Sequence, residues 1–270
     1  MSDSWFLAIV LGALQGLTEF LPVSSDGHLA LAQILFGVEG GGLGLTVMLH
    51  AGTLVATAVV LRAELVPALR EGVRGLFHPA SWRATAGGRD ALVVLIASVP
   101  TAVIGLGLDH AVERWTESPL VVGLGFCCTT LVLASTRWVR DGAATHPTPV
   151  GALLLGVAQG LAVLPGVSRS GSTIALALWL GVRRERAFVL SMLMSLPAIL
   201  GAVLLKLPGL VRSSGGLGPS SVGALVAALV GVVALVLLRR VVVRGRFALF
   251  ALWTLPLALA TLAMALAWPS

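Results

Sequence analysis

Long apolar runs alternate with short polar breaks along this chain, and the breaks cut it into pieces of membrane length. Six uninterrupted runs are long enough to cross a bilayer, at roughly 20 residues each. They are Leu43–Leu61, Ala91–Leu108, Leu120–Val139, Ala187–Leu205, Val222–Leu238 and Phe247–Trp268. Two further apolar stretches are interrupted in the middle by Pro, Gly and hydroxyl residues. The first is LGALQGLTEFLPVSSDGHLALAQILFGV, Leu11 to Val38; the second is LGVAQGLAVLPGVSRSGSTIALALWLGV, Leu155 to Val182. They are versions of each other: Gln15 aligns with Gln159, Ser24 with Ser168, and Gly27 with Gly171. A broken apolar segment is the sequence form of a discontinuous membrane helix, and a pair of them usually holds a binding site near the bilayer midplane.

Composition agrees. The chain is 57% hydrophobic and 11% charged, where a soluble domain carries about a quarter charged residues. A net charge of +6 would suggest nucleic acid in a soluble protein. Here the arginines sit in short loops between apolar runs, so no nucleic-acid partner is expected and membrane topology explains them. No Lys or Arg precedes Arg62, so the N-terminal stretch lacks the basic region of a signal peptide. The stretch from Ala63 to Arg89 reads as a basic interfacial loop.

Charge places the loops. If each broken segment dips in and returns to the side it entered from, fourteen of the eighteen basic residues fall on one side. That side holds the arginines between Arg62 and Arg89, Arg137 with Arg140, Arg183 to Arg186, and Arg239 to Arg246. The opposite side has only Arg114, Lys206 and Arg212. The positive-inside rule then makes the Arg-rich loops cytoplasmic. Three spans separate the broken segments, so the two enter from opposite faces. The expected fold is all-α: six transmembrane helices plus two re-entrant broken-helix hairpins in an inverted-topology repeat. Residues 1–270 form one membrane domain. Repeat 1 covers about 5–140, with its re-entrant part at 5–37 and spans at 43–61, 91–108 and 120–139. Repeat 2 covers about 150–268, with its re-entrant part at 150–181 and spans at 187–205, 222–238 and 247–268.

Ionisable groups at membrane depth are costly and mark function. The first hairpin carries Glu19, Asp26 and His28, with Gln15, Ser24 and Ser25. The second carries Arg169, with Ser168, Ser170, Ser172 and Thr173. Gln15 and Glu19 are four apart and share a helix face. Together they make a thin oxygen set that suits Mg²⁺ or Ca²⁺ if phosphate and water complete the shell. The alternative is that they only hydrogen-bond across a helix interface. PVSSDGH, Pro22 to His28, starts a new half-helix, whose N-terminus favours an anion. His28 can carry a proton near neutral pH, or simply cap the helix. Asp26 is suited equally to an N-cap and to a catalytic role. Arg169 offers a fork for two phosphate oxygens, or a buried ion pair with Glu19 or Asp26 as its resting state. His50, in VMLHAGT, is expected to bond a neighbouring helix rather than line the site. The repeat is lopsided, since Ala162 and Val163 stand where the first half has Thr18 and Glu19. Taken together, these groups describe a pyrophosphate site.

QGLTEFLPVSSDGH and LPGVSRSGST resemble the two signature motifs of bacterial undecaprenyl-diphosphate phosphatase, the bacitracin-resistance family. The resemblance covers essentially the whole chain. It implies an inner-membrane enzyme that hydrolyses undecaprenyl diphosphate to undecaprenyl phosphate and inorganic phosphate. That reaction recycles the lipid carrier of peptidoglycan synthesis and confers resistance to bacitracin, which sequesters the substrate. It also implies a divalent cation, Mg²⁺ or Ca²⁺, and it allows a homodimer. By position, Gln15 and Glu19 are the metal pair; the extra carboxylate of Asp26 could add a ligand or repel phosphate. Catalytic roles fall on Glu19, Ser25, His28 and Arg169. Contacts to the diphosphate fall on Ser24, Gly27, Ser168, Arg169, Ser170, Gly171 and Thr173. Two positions depart from the common pattern: Gln15 replaces a frequent Glu, and Asp26 a frequent Thr.

Inverted repeats with broken helices also serve secondary carriers, so a lipid transporter is the competing class. Phosphate release by purified protein separates the two. A membrane phosphatase of the KxxxxxxRP, PSGH and SRxxxxxH type is the weaker alternative, because only SSDGH resembles one of its motifs.

Overall fold

The computed structural model describes residues 2–36, 42–212 and 217–267. The ends of two expected segments, Gly37 with Val38 and Trp268, lie outside them. The described residues are mostly helical, with no strand beyond one isolated bridge between Ala144 and Val182. The helices in chain order are α1 (Ser2–Thr18), α2 (Ser25–Phe36), α3 (Gly42–Val60), α4 (Arg62–Phe77), α5 (Ser81–Ala84) and α6 (Ala86–Thr116). They continue with α7 (Pro119–Ser135), α8 (Pro149–Leu161), α9 (Arg169–Trp179), α10 (Arg184–Arg212), α11 (Leu217–Val243) and α12 (Ala251–Ala267).

Five helices, α6, α7, α10, α11 and α12, are long and apolar enough to cross a membrane. α3 makes a sixth only together with α4, from which it is bent by 91°. Each expected span therefore falls on a helix, and each expected broken segment is a helix, a short turn and a second helix. The first breaks between Thr18 and Ser25, the second between Leu161 and Arg169.

The stretch from Ala63 to Arg89 is not a loop but mostly α4 and α5. Apolar side chains recur there at helical spacing: Val66, Leu69, Val73 and Phe77 are all exposed on one face. Ala68 and Gly75 are buried on the other. The Trp82 indole packs over Gly75 and donates to the Gly72 carbonyl at 3.0 Å. Counting charge alone hid that periodicity.

The broken segments pack reciprocally. In α1, Gly12 and Gly16 lie against the backbone of Gly223 and Ala227 in α11, closer than any side chain there would permit. In α8, the aligned Gly156 and Gly160 lie against Ala97, Pro100 and Ile104 in α6. Small residues at such crossings are what allow membrane helices to approach. Each half of the chain thus holds the other half's broken helix. α7 and α12 meet as well, and Thr130 donates to Thr254 across that contact at 2.8 Å.

Candidate active site

The break in the first hairpin follows from its residues. Pro22 has no N–H to continue α1. Ser24 takes a left-handed φ of 66°, and its hydroxyl accepts from the Gly27 N–H at 3.2 Å. Ser24, not Asp26, is therefore the cap of α2; Asp26 sits in the first turn, exposed. In the second hairpin, Gly166 makes the turn with φ 86°. Ser168 caps α9 by accepting from the Gly171 N–H at 3.1 Å. Thr129 of α7 ties that tip down: its hydroxyl accepts from the Ser168 N–H at 2.9 Å and donates to the Gly166 carbonyl at 2.7 Å.

The two tips touch. A side-chain carbon on Gly27 would stand 2.9 Å from Gly166 Cα and 2.7 Å from Phe126. Only glycine permits that approach. Gly171 in turn faces the Pro22 ring.

At this junction, Arg169 donates to Glu19 Oε1 at 2.6 Å. The other carboxylate oxygen, Oε2, accepts from Gln15 Nε2 at 2.8 Å and from the Ser25 hydroxyl at 3.1 Å. Gln15 and Glu19 are buried, and the Arg169 side chain is 17% exposed. Of the two ion pairs the sequence allows for Arg169, the structure forms the one with Glu19. Asp26 lies within electrostatic reach of Glu19, His50 and Arg169.

One residue joins this group that the sequence did not place there, and a second contacts the hairpin outside it. His50 Nδ1 donates to the Thr46 carbonyl of its own helix at 2.9 Å, which leaves Nε2 as acceptor. That nitrogen receives the Gln15 amide at 3.4 Å and lies 3.9 Å from Glu19. His50 therefore lines the site rather than bonding elsewhere. Trp253 of α12 reaches the first hairpin from the other side, and its indole N–H donates to His28 Nε2 at 3.2 Å. His28 Nδ1 donates to the Ser24 carbonyl at 2.8 Å, so His28 stands beside the Glu19–Arg169 pair, not bonded into it.

The hydroxyls of the second hairpin are spent inside the protein. Ser168 and Ser170 are buried and 3.3 Å apart. Thr173 donates to the Arg169 carbonyl at 2.8 Å and lies 2.6 Å from the Ser191 hydroxyl. They position the backbone that carries Arg169.

The mouth of the second hairpin is clasped. Asp90 at the start of α6 accepts from Arg186 at the start of α10, and from His146 at 2.8 Å. Nearby, the Ala144 N–H donates to the Gly181 carbonyl at 3.1 Å and the Arg183 N–H to the Ala144 carbonyl at 2.9 Å.

No group of three His, Cys, Asp or Glu suited to a metal occurs among the described residues. The ligand atoms at the junction are few: the Gln15 and Glu19 oxygens, with His50 Nε2 beside them. Gln15 Oε1 is buried with no partner, and the same side chain's amide nitrogen bonds the Glu19 carboxylate. A hard cation completed by water and phosphate oxygens fits that set.

The fold and this junction define a class: a polytopic helical membrane protein whose buried charges meet where two broken helices touch tip to tip. Residues 8–260 match the model of the family described as bacitracin resistance protein BacA, and the chain belongs to that family. Among its relatives, the undecaprenyl-diphosphatase of Desulfosudis oleivorans is 43% identical over 251 residues, covering 90% of this chain and 92% of that protein. The undecaprenyl-diphosphatase of Desulforapulum autotrophicum is 41% identical over 264 residues, with 91% and 93% covered. That of Parabacteroides distasonis is 36% identical over 270 residues, with 97% and 99% covered.

Proposed function

We infer that this protein is an undecaprenyl-diphosphate phosphatase: it hydrolyses undecaprenyl diphosphate to undecaprenyl phosphate and inorganic phosphate, the activity that underlies bacitracin resistance. Family membership and relatives of that name along nearly the whole chain support the activity. The observation that carries the site is the Glu19–Arg169 pair at 2.6 Å between the hairpin tips. A buried ion pair contributes little to stability once desolvation is counted, so its presence at membrane depth points to use.

Arg169 leaves Glu19 for the diphosphate, whose paired oxygens match its fork. Glu19, released from the guanidinium, takes the Ser25 hydroxyl proton. Ser25 Oγ attacks the terminal phosphorus, the bridging P–O bond breaks, and undecaprenyl phosphate leaves. Water then cleaves the phosphoserine, giving its proton to His28 Nε2; the Ser25 oxygen takes its proton back from Glu19, and inorganic phosphate departs. Ser24, Gly27, Ser168, Ser170, Gly171 and Thr173 hold the two helix N-termini toward the phosphates. Charge neutralisation and in-line placement carry the rate, as in other phosphoryl transfers. Gln15 and Glu19, with Asp26, would hold a Mg²⁺ or Ca²⁺ ion, which supplies Lewis-acid neutralisation of phosphate oxygens when bound.

We place the chain in the bacterial inner membrane, with the Arg-rich loops cytoplasmic and the diphosphate pocket opening outward. The six-span, two-hairpin inverted repeat is part of this proposal, and the reciprocal glycine packing of α1 on α11 and α8 on α6 supports it. The test is phosphate release from undecaprenyl diphosphate by purified protein in detergent. Release that depends on Glu19 and Arg169 bears the proposal out. Binding without release would mark a carrier instead.

A further inference from the structure

Trp253 is 58% exposed, on a face of α12 it shares with Leu252 and Leu255, exposed as well. In a membrane helix such a face meets lipid. An indole N–H in hydrocarbon needs a partner, and this one takes the Nε2 lone pair of His28 at 3.2 Å. The two rings are nearly parallel, 4° apart in plane, with centroids 6.4 Å apart. Phe126 closes a second side of His28, edge-on at 5.6 Å. The remaining nitrogen, Nδ1, is committed to the Ser24 carbonyl. His28 is therefore a base with no free lone pair, and the group that occupies it stands between the ring and the bilayer.

We propose that Trp253 determines specificity by masking His28 until a lipid chain displaces the indole. This rests on the role given to His28 above. The substrate reaches the site from the bilayer with its isoprenoid chain in lipid. Contact along the outer face of α12 draws the indole away and frees Nε2 to take the proton from water. A short, water-soluble diphosphate that enters from the aqueous mouth leaves the mask in place, and turns over slowly.

Trp253→Phe keeps the ring and deletes the N–H. At saturating substrate, the variant should turn over a five-carbon prenyl diphosphate faster than wild type by about fivefold, the worth of one neutral hydrogen bond. Turnover of undecaprenyl diphosphate should stay within about twofold, since the chain already displaces the indole in wild type. Diethyl pyrocarbonate, mapped to the His28 peptide by mass spectrometry, should label the substrate-free variant several times faster than wild type. Equal changes for both substrates, or equal labelling rates, would mean that Trp253 only packs there, and would overturn the proposal. The underlying role of His28 is tested separately by His28→Ala. Full turnover in that variant removes His28 from the chemistry and ends the specificity claim with it, whatever the labelling shows.

Discussion

The two hairpins begin with the same residues and use them differently, most plainly at the aligned glutamines. Gln15 donates to the Glu19 carboxylate and to His50. Gln159 donates to the Met194 carbonyl of α10 at 3.2 Å and to the Thr101 hydroxyl of α6 at 3.3 Å. One amide is turned toward charge and the other ties helices together. The cause is three to four residues away, where the first hairpin has Thr18 and Glu19 and the second has Ala162 and Val163. Without a carboxylate, the Gln159 amide bonds only a backbone carbonyl and a neutral hydroxyl. The second hairpin is also better anchored, with Thr129 at its tip and the Asp90 clasp at its mouth. A duplicated frame can thus be divided into a reacting half and a half that holds one guanidinium in place.

This contrast can be broken most severely at its charged pair. Glu19→Ala and Arg169→Ala should each lower turnover by about 10³-fold or more. The double variant should lose little beyond either single one, because the two act as a unit. Phosphate release by detergent-purified, folded protein checks both. Removal of divalent cations with a chelator should depress turnover by about 10²-fold, with recovery on adding Mg²⁺ or Ca²⁺.

The glutamines give a smaller and sharper contrast. Gln15→Ala should cost about 10- to 100-fold in turnover, as loss of a group that orients a reacting carboxylate does. Gln159→Ala should leave turnover within a few-fold and instead lower stability by about 1–3 kcal/mol, seen as a fall in Tm. Equal effects on turnover at both positions would erase the division of labour. Smallest in turnover is Asp90→Asn. It leaves Arg186 and His146 facing a neutral partner, and should cost a few-fold in kcat with about 2–3 kcal/mol of stability, read by thermal unfolding.

Much of this was legible in the sequence, because membrane length and helical period act over short distances. The apolar runs, both breaks and the shared face of Gln15 and Glu19 are local patterns: the runs fall on helices, five of them long enough to cross a membrane, and the breaks fall on turns. Ser24 and Ser168, aligned in the repeat, cap their helices alike. What the sequence hid depends on contacts between distant segments. His50 lies 35 positions from its Gln15 partner, and Trp253 lies 225 from His28. Nothing periodic marks either. Asp90, Arg186 and His146 fall in three separate polar stretches that read as ordinary loop charge. Asp26 reads equally as an N-cap or a catalytic group, since Asp is among the preferred caps. The structure decided for Ser24, whose positive φ aims its hydroxyl back at the Gly27 N–H.

The central claim is that Glu19 and Arg169 form a resting pair that the diphosphate opens. The most direct test is a structure with a non-hydrolysable prenyl diphosphonate and Mg²⁺. The account predicts Arg169 off Glu19 and forked onto the diphosphonate oxygens, with Ser25 Oγ facing the terminal phosphorus. Arg169 still donating to Glu19 Oε1 at its present 2.6 Å, with the diphosphonate bound elsewhere, would contradict it.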